Sequence, residues 1–355
     1  MDYDKLAAIL VRYSTAVRPG EVVSLLGPHA ADAALRSFFA EVLRAGGHPF
    51  LLLRPDWADT LLCHHGTDAQ LTFTNPLAAR EVEVADVAIH VTSLPAQVTA
   101  PIDPARLAIL HAGRRPLVER FRRRVAQGAL RWTATAVSPS AEWQAALIRG
   151  MRLEMPDPVA AWREQAERQA RLIAQLETAR ALRFVTPTGT NLRVDVAGCG
   201  WHNGAGHENF PDGEVWTVPV KDSTEGSMVV DFPVEVAGRR IRQARLTVRA
   251  GRVVEVMAAE GKDTLRDLLA RDPSAGIVGE VALGCNYAIT EARGHPLLDE
   301  KIGGTFHIAL GDPTHSAVHL DLIGDLRPGG RVEADGRLLS AAGRFVDPRW
   351  PGPAD

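Results

Sequence analysis

Apolar positions in the first half of the chain follow two alternating rhythms. Leu6, Ile9, Leu10, Tyr13 and Val17 recur at helical spacing behind Asp4, and Pro19-Gly20 stops the run, which predicts a helix over 4–17. Glu21–Leu26 is a short β-rich run. A second helix is predicted from about Ala30 to Arg44, closed by Gly46-Gly47. Phe50-Leu51-Leu52-Leu53 lacks polar alternation and reads as a fully buried strand, as do Val87–Val91 and Leu107–Leu110. Unbroken apolar strands separated by helices indicate a parallel sheet covered on both faces. The amphipathic stretch from Val159 to about Ala181 is predicted to be the longest helix and to link the halves.

Beyond it a period of two takes over. Residues 184–196 read as a hairpin around Gly189, and Met228–Val234, Ala244–Arg249 and Val253–Met257 as further strands, the last two joined at Ala250-Gly251. A short helix is expected at Asp263–Ala270 and another hairpin at 332–339. The expected architecture is an α/β N-terminal domain with a parallel sheet over 1–180, then a mostly antiparallel α+β C-terminal metal-binding domain over 181–355.

Composition adds limits. A chain of 355 residues is long enough for two domains, each with its own core, and a net charge of −3 gives no general attraction to nucleic acid. The basic group Arg114, Arg115, Arg120, Arg122, Arg123, Arg124 and Arg131 reads as a solvated helix face. Cys63, Cys199 and Cys285 are far apart and odd in number, which argues against a disulfide framework and a structural zinc site. The N-terminus has no secretory pattern and no apolar run reaches membrane-spanning length, so a cytoplasmic protein with no membrane or nucleic-acid partner is expected.

The chemistry concentrates in the last 150 residues. Glu214, Glu280, His307, His319 and Asp321 are hard or borderline metal ligands, each in a stretch that reads as strand or strand end. His319 and Asp321 lie two apart, so a strand running through Ala317-Val318-His319-Leu320-Asp321-Leu322 projects both from one face. Two imidazoles and three carboxylates suit a pair of divalent ions (Zn, Co, Mn or Mg) that activates a water against a carbonyl. His202 and His207, in a Gly-rich loop, are candidates to border a substrate cleft, and Tyr287 is a candidate hydroxyl donor.

Four stretches carry a family resemblance: 210–219 around Glu214, 279–287 around Glu280, 299–311 around His307, and 316–321 with His319 and Asp321. Together with Arg18-Pro19-Gly20-Glu21 and Ala45-Gly46-Gly47-His48-Pro49, they resemble the M29 metallo-aminopeptidases over nearly the whole chain. The resemblance implies that Glu214, Glu280, His307, His319 and Asp321 are metal ligands, with Glu300 near a further acidic position. It also implies two divalent ions, a homodimer, and removal of N-terminal residues from peptides with a free N-terminus. Glu214 or Glu280 is then the candidate general base. The family pattern has a tyrosine seven residues after the first histidine ligand; here that position is Thr314, and His315 beside it is a candidate replacement donor. The alternative is a mononuclear iron ring-cleaving dioxygenase similar to the 2,5-dihydroxypyridine dioxygenases, using His307, His319 and Asp321. Those enzymes carry a histidine where this chain has Glu280. A relative repurposed away from peptides is a third class.

Overall fold

The structure, a computed structural model, describes residues 1–94, 102–236, 239–316 and 318–353. It divides into two compact units: Met1–Ala160 with Gly206–Pro211, and Ala161–Ala205 with Asp212–Asp355. The division thus falls about twenty residues before the expected boundary at 180, inside the helix Pro158–Leu176.

In the first unit, five parallel strands run in the order His48–Leu53, Val22–Gly27, Val87–Ser93, Arg131–Val137, Asn209–Phe210. Consecutive residues of the Val22–Gly27 and Val87–Ser93 strands are buried, so both faces of the sheet centre are covered, as the apolar runs predict. The His48–Leu53 strand departs from that expectation. It is an edge strand paired on one side only, and Leu51 and Leu53 are exposed. Leu107–Leu110 is not a strand; it lies within the helix Pro104–Ala126. A short apolar run does not separate strand from helix. The deciding signal is Asp103-Pro104, where the Asp103 carboxylate caps the Ala105 N–H and Pro occupies the first turn.

The same helix corrects the reading of the arginines in part. Arg114 makes a two-pronged pair with Asp59 (2.8 and 2.5 Å) and Arg120 meets Glu83 at 2.6 Å. Arg124 donates to the carbonyls of Val82, Ala85 and Ala129, and Arg131, on a neighbouring strand, holds Glu21 and the Thr15 carbonyl. Arg114, Arg120 and Arg124 thus tie this helix to the neighbouring helices Trp57–His65 and Pro76–Val84, whereas Arg115, Arg122 and Arg123 are exposed, as the solvated-face reading expects.

The second unit is antiparallel. Its larger sheet has eight strands, in the order Arg252–Met257, Ala244–Arg249, Glu225–Val230, Asn191–Asp195, Ala181–Val185, Arg331–Ala334, Arg337–Ala341, Arg344–Phe345. The smaller has five: Leu320–Asp325, Thr305–Leu310, Val278–Gly284, Glu214–Thr217, His202–Gly204. One apolar core joins them, with Phe184 of the larger sheet stacked on Phe306 of the smaller at 4.4 Å. The helix Lys262–Arg271 appears where the pattern places it.

His90, on the Val87–Ser93 strand beside the Phe121 ring, supplies a pH test of the first unit. Burial, and secondarily the Arg54 charge, push its imidazole down to about 4 from an ordinary 6.5. Between these values the unfolded chain binds a proton that the folded chain refuses, so stability falls as pH drops from about 6.5 to 4. The expected loss is on the order of 2 kcal/mol. Denaturant titrations at pH 7 and pH 4.5 should show a larger drop for the wild type than for His90→Gln. An equal drop in the two proteins rules this contribution out.

Candidate metal centre

The five-stranded sheet brings the donors together through its register. Residues directly opposite in an antiparallel ladder share a face, as do residues two apart on one strand. Glu280 lies opposite Ala309, which lies opposite Asp321; Ala282 lies opposite both His307 and Trp216; Gly284 lies opposite Glu214. Glu214, Trp216, Glu280, His307 and Asp321 therefore occupy one face. The other face carries Val215, Val281, Leu283, Phe306, Ile308 and Leu322, all in the core. On the donor face the intervening residues Ala282, Ala309 and Gly284 are small, which leaves room above the sheet.

A bulge sets the position of Glu280. Val278 pairs with Leu310 and Glu280 with Ala309, so Gly279 is the extra residue. The insertion lets Val278 and Val281, three apart, both enter the core while Glu280 faces the site. A Cβ on Gly279 would stand 2.0 Å from the Gly311 carbonyl oxygen, so the close backbone approach at this bulge requires glycine.

Ligand atoms of Glu280, His307 and Asp321 lie within 4.8 Å of one another. His307 Nε2 is 3.3 Å from Glu280 Oε1 and 3.5 Å from Glu214 Oε2. Burial disfavours the charge on His307, but the hydrogen bond to Glu280 and the nearby Glu214 and Asp321 hold it at about 9. Asp321 Oδ1 lies 3.1 Å from Nε2 of His319, an exposed side chain at the rim. Burial raises the Glu300 carboxyl to about 8, helped by Glu214 and Asp321 against the Lys301 charge.

Three groups absent from the sequence reading complete the cluster. Lys301, fully buried, places Nζ 2.5 Å from Glu214 Oε1, 2.7 Å from Glu300 Oε1 and 3.6 Å from Asp212 Oδ1. Its carboxylate neighbours hold it as an ammonium against the cost of burial. Gln169 donates to the main-chain carbonyls of Glu214 (2.8 Å) and Gly204 (3.0 Å), fixing the strand that presents Glu214. The available signals were local: Lys301 follows Glu300 directly, and Asp212 stands two residues before Glu214.

Other expected residues lie elsewhere. Thr314 and His315 are exposed, and the side chains of both bond to Asp312; the structure does not bring them to the cluster carboxylates. His319 precedes its strand, which begins at Leu320, and Ala317 lies outside the described residues. His202 stacks on Trp216 at 3.9 Å, on the strand beside Glu214. His207 belongs to the first unit, against the Tyr13 ring and the Ser14 carbonyl. The Tyr287 hydroxyl donates to the Gly343 carbonyl and serves the fold.

The donor set suits a divalent ion. Two carboxylates and an imidazole converge on small residues, and Glu214 Oε2 is buried without a hydrogen-bond partner among the described residues. The family model of the thermophilic metalloproteases (M29) matches residues 1–322. The chain belongs to the M29 family. Among M29-like relatives, Aminopeptidase 2 of Geobacillus stearothermophilus is 27% identical over 320 residues, covering 79% of this chain and 76% of the relative. Aminopeptidase T of Thermus aquaticus is 34% identical over 152 residues, 40% of this chain and 37% of the relative. In fold, wild-type AmpT from Thermus thermophilus matches 97% of this chain and 99% of its own, with a TM-score of 0.80 at 21% identity. The 2,5-dihydroxypyridine dioxygenase from Pseudomonas putida KT2440 shares the fold at a TM-score of 0.64 and 18% identity, over 98% and 97% of the chains. The M29 resemblance read from the sequence therefore stands.

The bulge makes a specific demand. Gly279→Ala should lower both the Tm and the affinity for divalent ions, since its Cβ meets backbone at 2.0 Å. Gly200→Ala, whose Cβ meets nothing within 4 Å, is the control and should leave both unchanged. Thermal melts and metal titrations compare them; equal behaviour of the two variants refutes the role given to the bulge.

Proposed function

We propose that this M29 chain is a metal-dependent aminopeptidase that removes N-terminal residues from peptides with a free amine. The observation that carries the reading is the convergence of Glu280, His307 and Asp321 on one strand face in a chain of a metalloprotease family. These three residues would hold a divalent ion, with His319 at the rim beside Asp321. Such an ion supplies an activated water and polarises the scissile carbonyl.

The rest of the chemistry belongs to the chain's own side chains. Glu280 and Glu300 are the more accessible carboxylates of the cluster, and Glu280, beside His307, is our candidate to take a proton from the attacking water. The acidic surroundings favour a substrate's protonated α-amine, which explains a preference for free N-termini. The stacked rings of His202 and Trp216 stand on the donor face, where they can form a wall for the substrate side chain. Thr314 is not needed in this scheme, because its hydroxyl is committed to Asp312.

The ring-cleaving alternative shares the fold; against it stands Glu280, where the resemblance read from the sequence gives those enzymes a histidine. The homodimer remains an expectation from the resemblance and the cytoplasmic setting one from the sequence pattern; among the described residues no helix is long and apolar enough to cross a membrane.

The test is hydrolysis of short peptides with free and with N-acetylated termini, before and after chelation. Free peptides should be cleaved from the N-terminus, activity should vanish with chelator and return with Zn, Co, Mn or Mg, and Glu280→Gln should lower kcat at least about 10²-fold. Equal cleavage of blocked peptides, or indifference to chelator, would sink this reading.

A further inference from the structure

Lys301 occupies the half of the cluster that Glu214 and Glu300 would otherwise offer to a second ion. A metal bound by those two carboxylates sits about 2.0–2.2 Å from their oxygens. That volume is filled by the ammonium, at 2.5 Å from Glu214 Oε1 and 2.7 Å from Glu300 Oε1, with Asp212 Oδ1 at 3.6 Å. The lysine is not a mobile surface side chain that happens to fall inward. It is fully buried, its carbonyl accepts from the Asn286 N–H (2.9 Å), and its own N–H donates to the Leu298 carbonyl (3.2 Å). Asn286 in turn donates through its side chain to the Asp212 carbonyl (2.8 Å), so one residue fixes both the lysine's loop and that of its acidic partner.

Upstream, the Asp299 carboxylate accepts three successive N–H groups, from Arg293, Gly294 and His295, which locks the turn leading into Glu300 and Lys301. Gly303, two residues on, packs its backbone against the Tyr287 ring so closely that a Cβ would stand 2.4 Å from the ring. The segment has one way to lie, and it delivers the ammonium among the carboxylates.

Glu214 shows the consequence. Its Oε1 is taken by Lys301, while its Oε2 has no hydrogen-bond partner among the described residues and lies 3.5 Å from His307 Nε2. We propose that Lys301 is a built-in cation at the Asp212–Glu214–Glu300 half of the centre, so that this chain binds one divalent ion per chain, at Glu280, His307 and Asp321 with Glu214 Oε2 beside it. The inference deepens the proposed metal-dependent function and rests on it. It narrows the pair of ions that the family resemblance implies to a single ion, with the protein supplying the remaining positive charge.

Equilibrium dialysis of the full chain against Zn and, separately, Mn, followed by elemental analysis, reads the number directly. The wild type should hold one ion. Lys301→Ala should hold two, with its Tm recovering in excess metal, and Lys301→Gln, which keeps the length and an N–H donor, is the second variant should the alanine form not fold. Two ions in the wild type, or a folded Lys301 variant that stays at one, overturn the inference and leave the metal-dependent reading intact. No ion in the wild type overturns both. One ion in the wild type that is lost in Asp321→Asn supports the assignment of the remaining site.

Discussion

Asp212, Glu214, Glu280, Glu300 and Asp321 crowd one side of a sheet whose other face is the hydrophobic core, and such a group holds together only with positive charge placed among them. Burial drives the Glu214 and Glu300 carboxyls upward, because desolvation penalises their charge. Lys301 is the chain's internal answer, and a divalent ion at Glu280, His307 and Asp321 is the proposed external one. Removing one partner of a buried pair of this kind typically costs about 3–5 kcal/mol. The turn locked by Asp299, the Asn286 tether and the Gln169 contacts to the Glu214 strand all serve to keep that arrangement fixed.

The backbone devices follow from the same requirement. A strand that must bury Val278 and Val281 and still present Glu280 on the opposite face cannot keep regular alternation, so it takes a bulge at Gly279. Ala282, Ala309 and Gly284 keep the donor face low between the ligands. The fold is shared with a dioxygenase as well as with AmpT, so the scaffold alone does not choose the reaction. The choice lies in the residues mounted on this one sheet face.

Much of this was legible in the sequence. Apolar runs at 22–26 and 87–91 announced the parallel sheet, and period-two stretches at 184–196 and 244–257 announced the antiparallel one. The cluster of Glu280, His307 and Asp321 was visible as isolated donors in strand-like contexts. What failed did so for local reasons. Leu107–Leu110 was too short for its period to distinguish helix from strand, and its capping Asp103-Pro104 carried the answer. Phe50–Leu53 looked buried because hydrophobicity does not reveal that a strand is at an edge. Lys301 was hidden because lysine in a loop is ordinarily solvent-exposed. Its burial depends on Asp212, almost ninety residues away, and no local pattern encodes that distance. Thr314 and His315 were drawn in by spacing from His307, whereas Asp312 holds both in its own turn.

Anomalous diffraction from crystals grown with Zn or Mn tests the central claim most directly, because it locates the metal and the lysine in one experiment. The account predicts a single peak among Glu280, His307 and Asp321, with the Lys301 side chain still seated between Glu214 and Glu300. A peak between Glu214 and Glu300 with Lys301 displaced, or no peak at the triad, would contradict it.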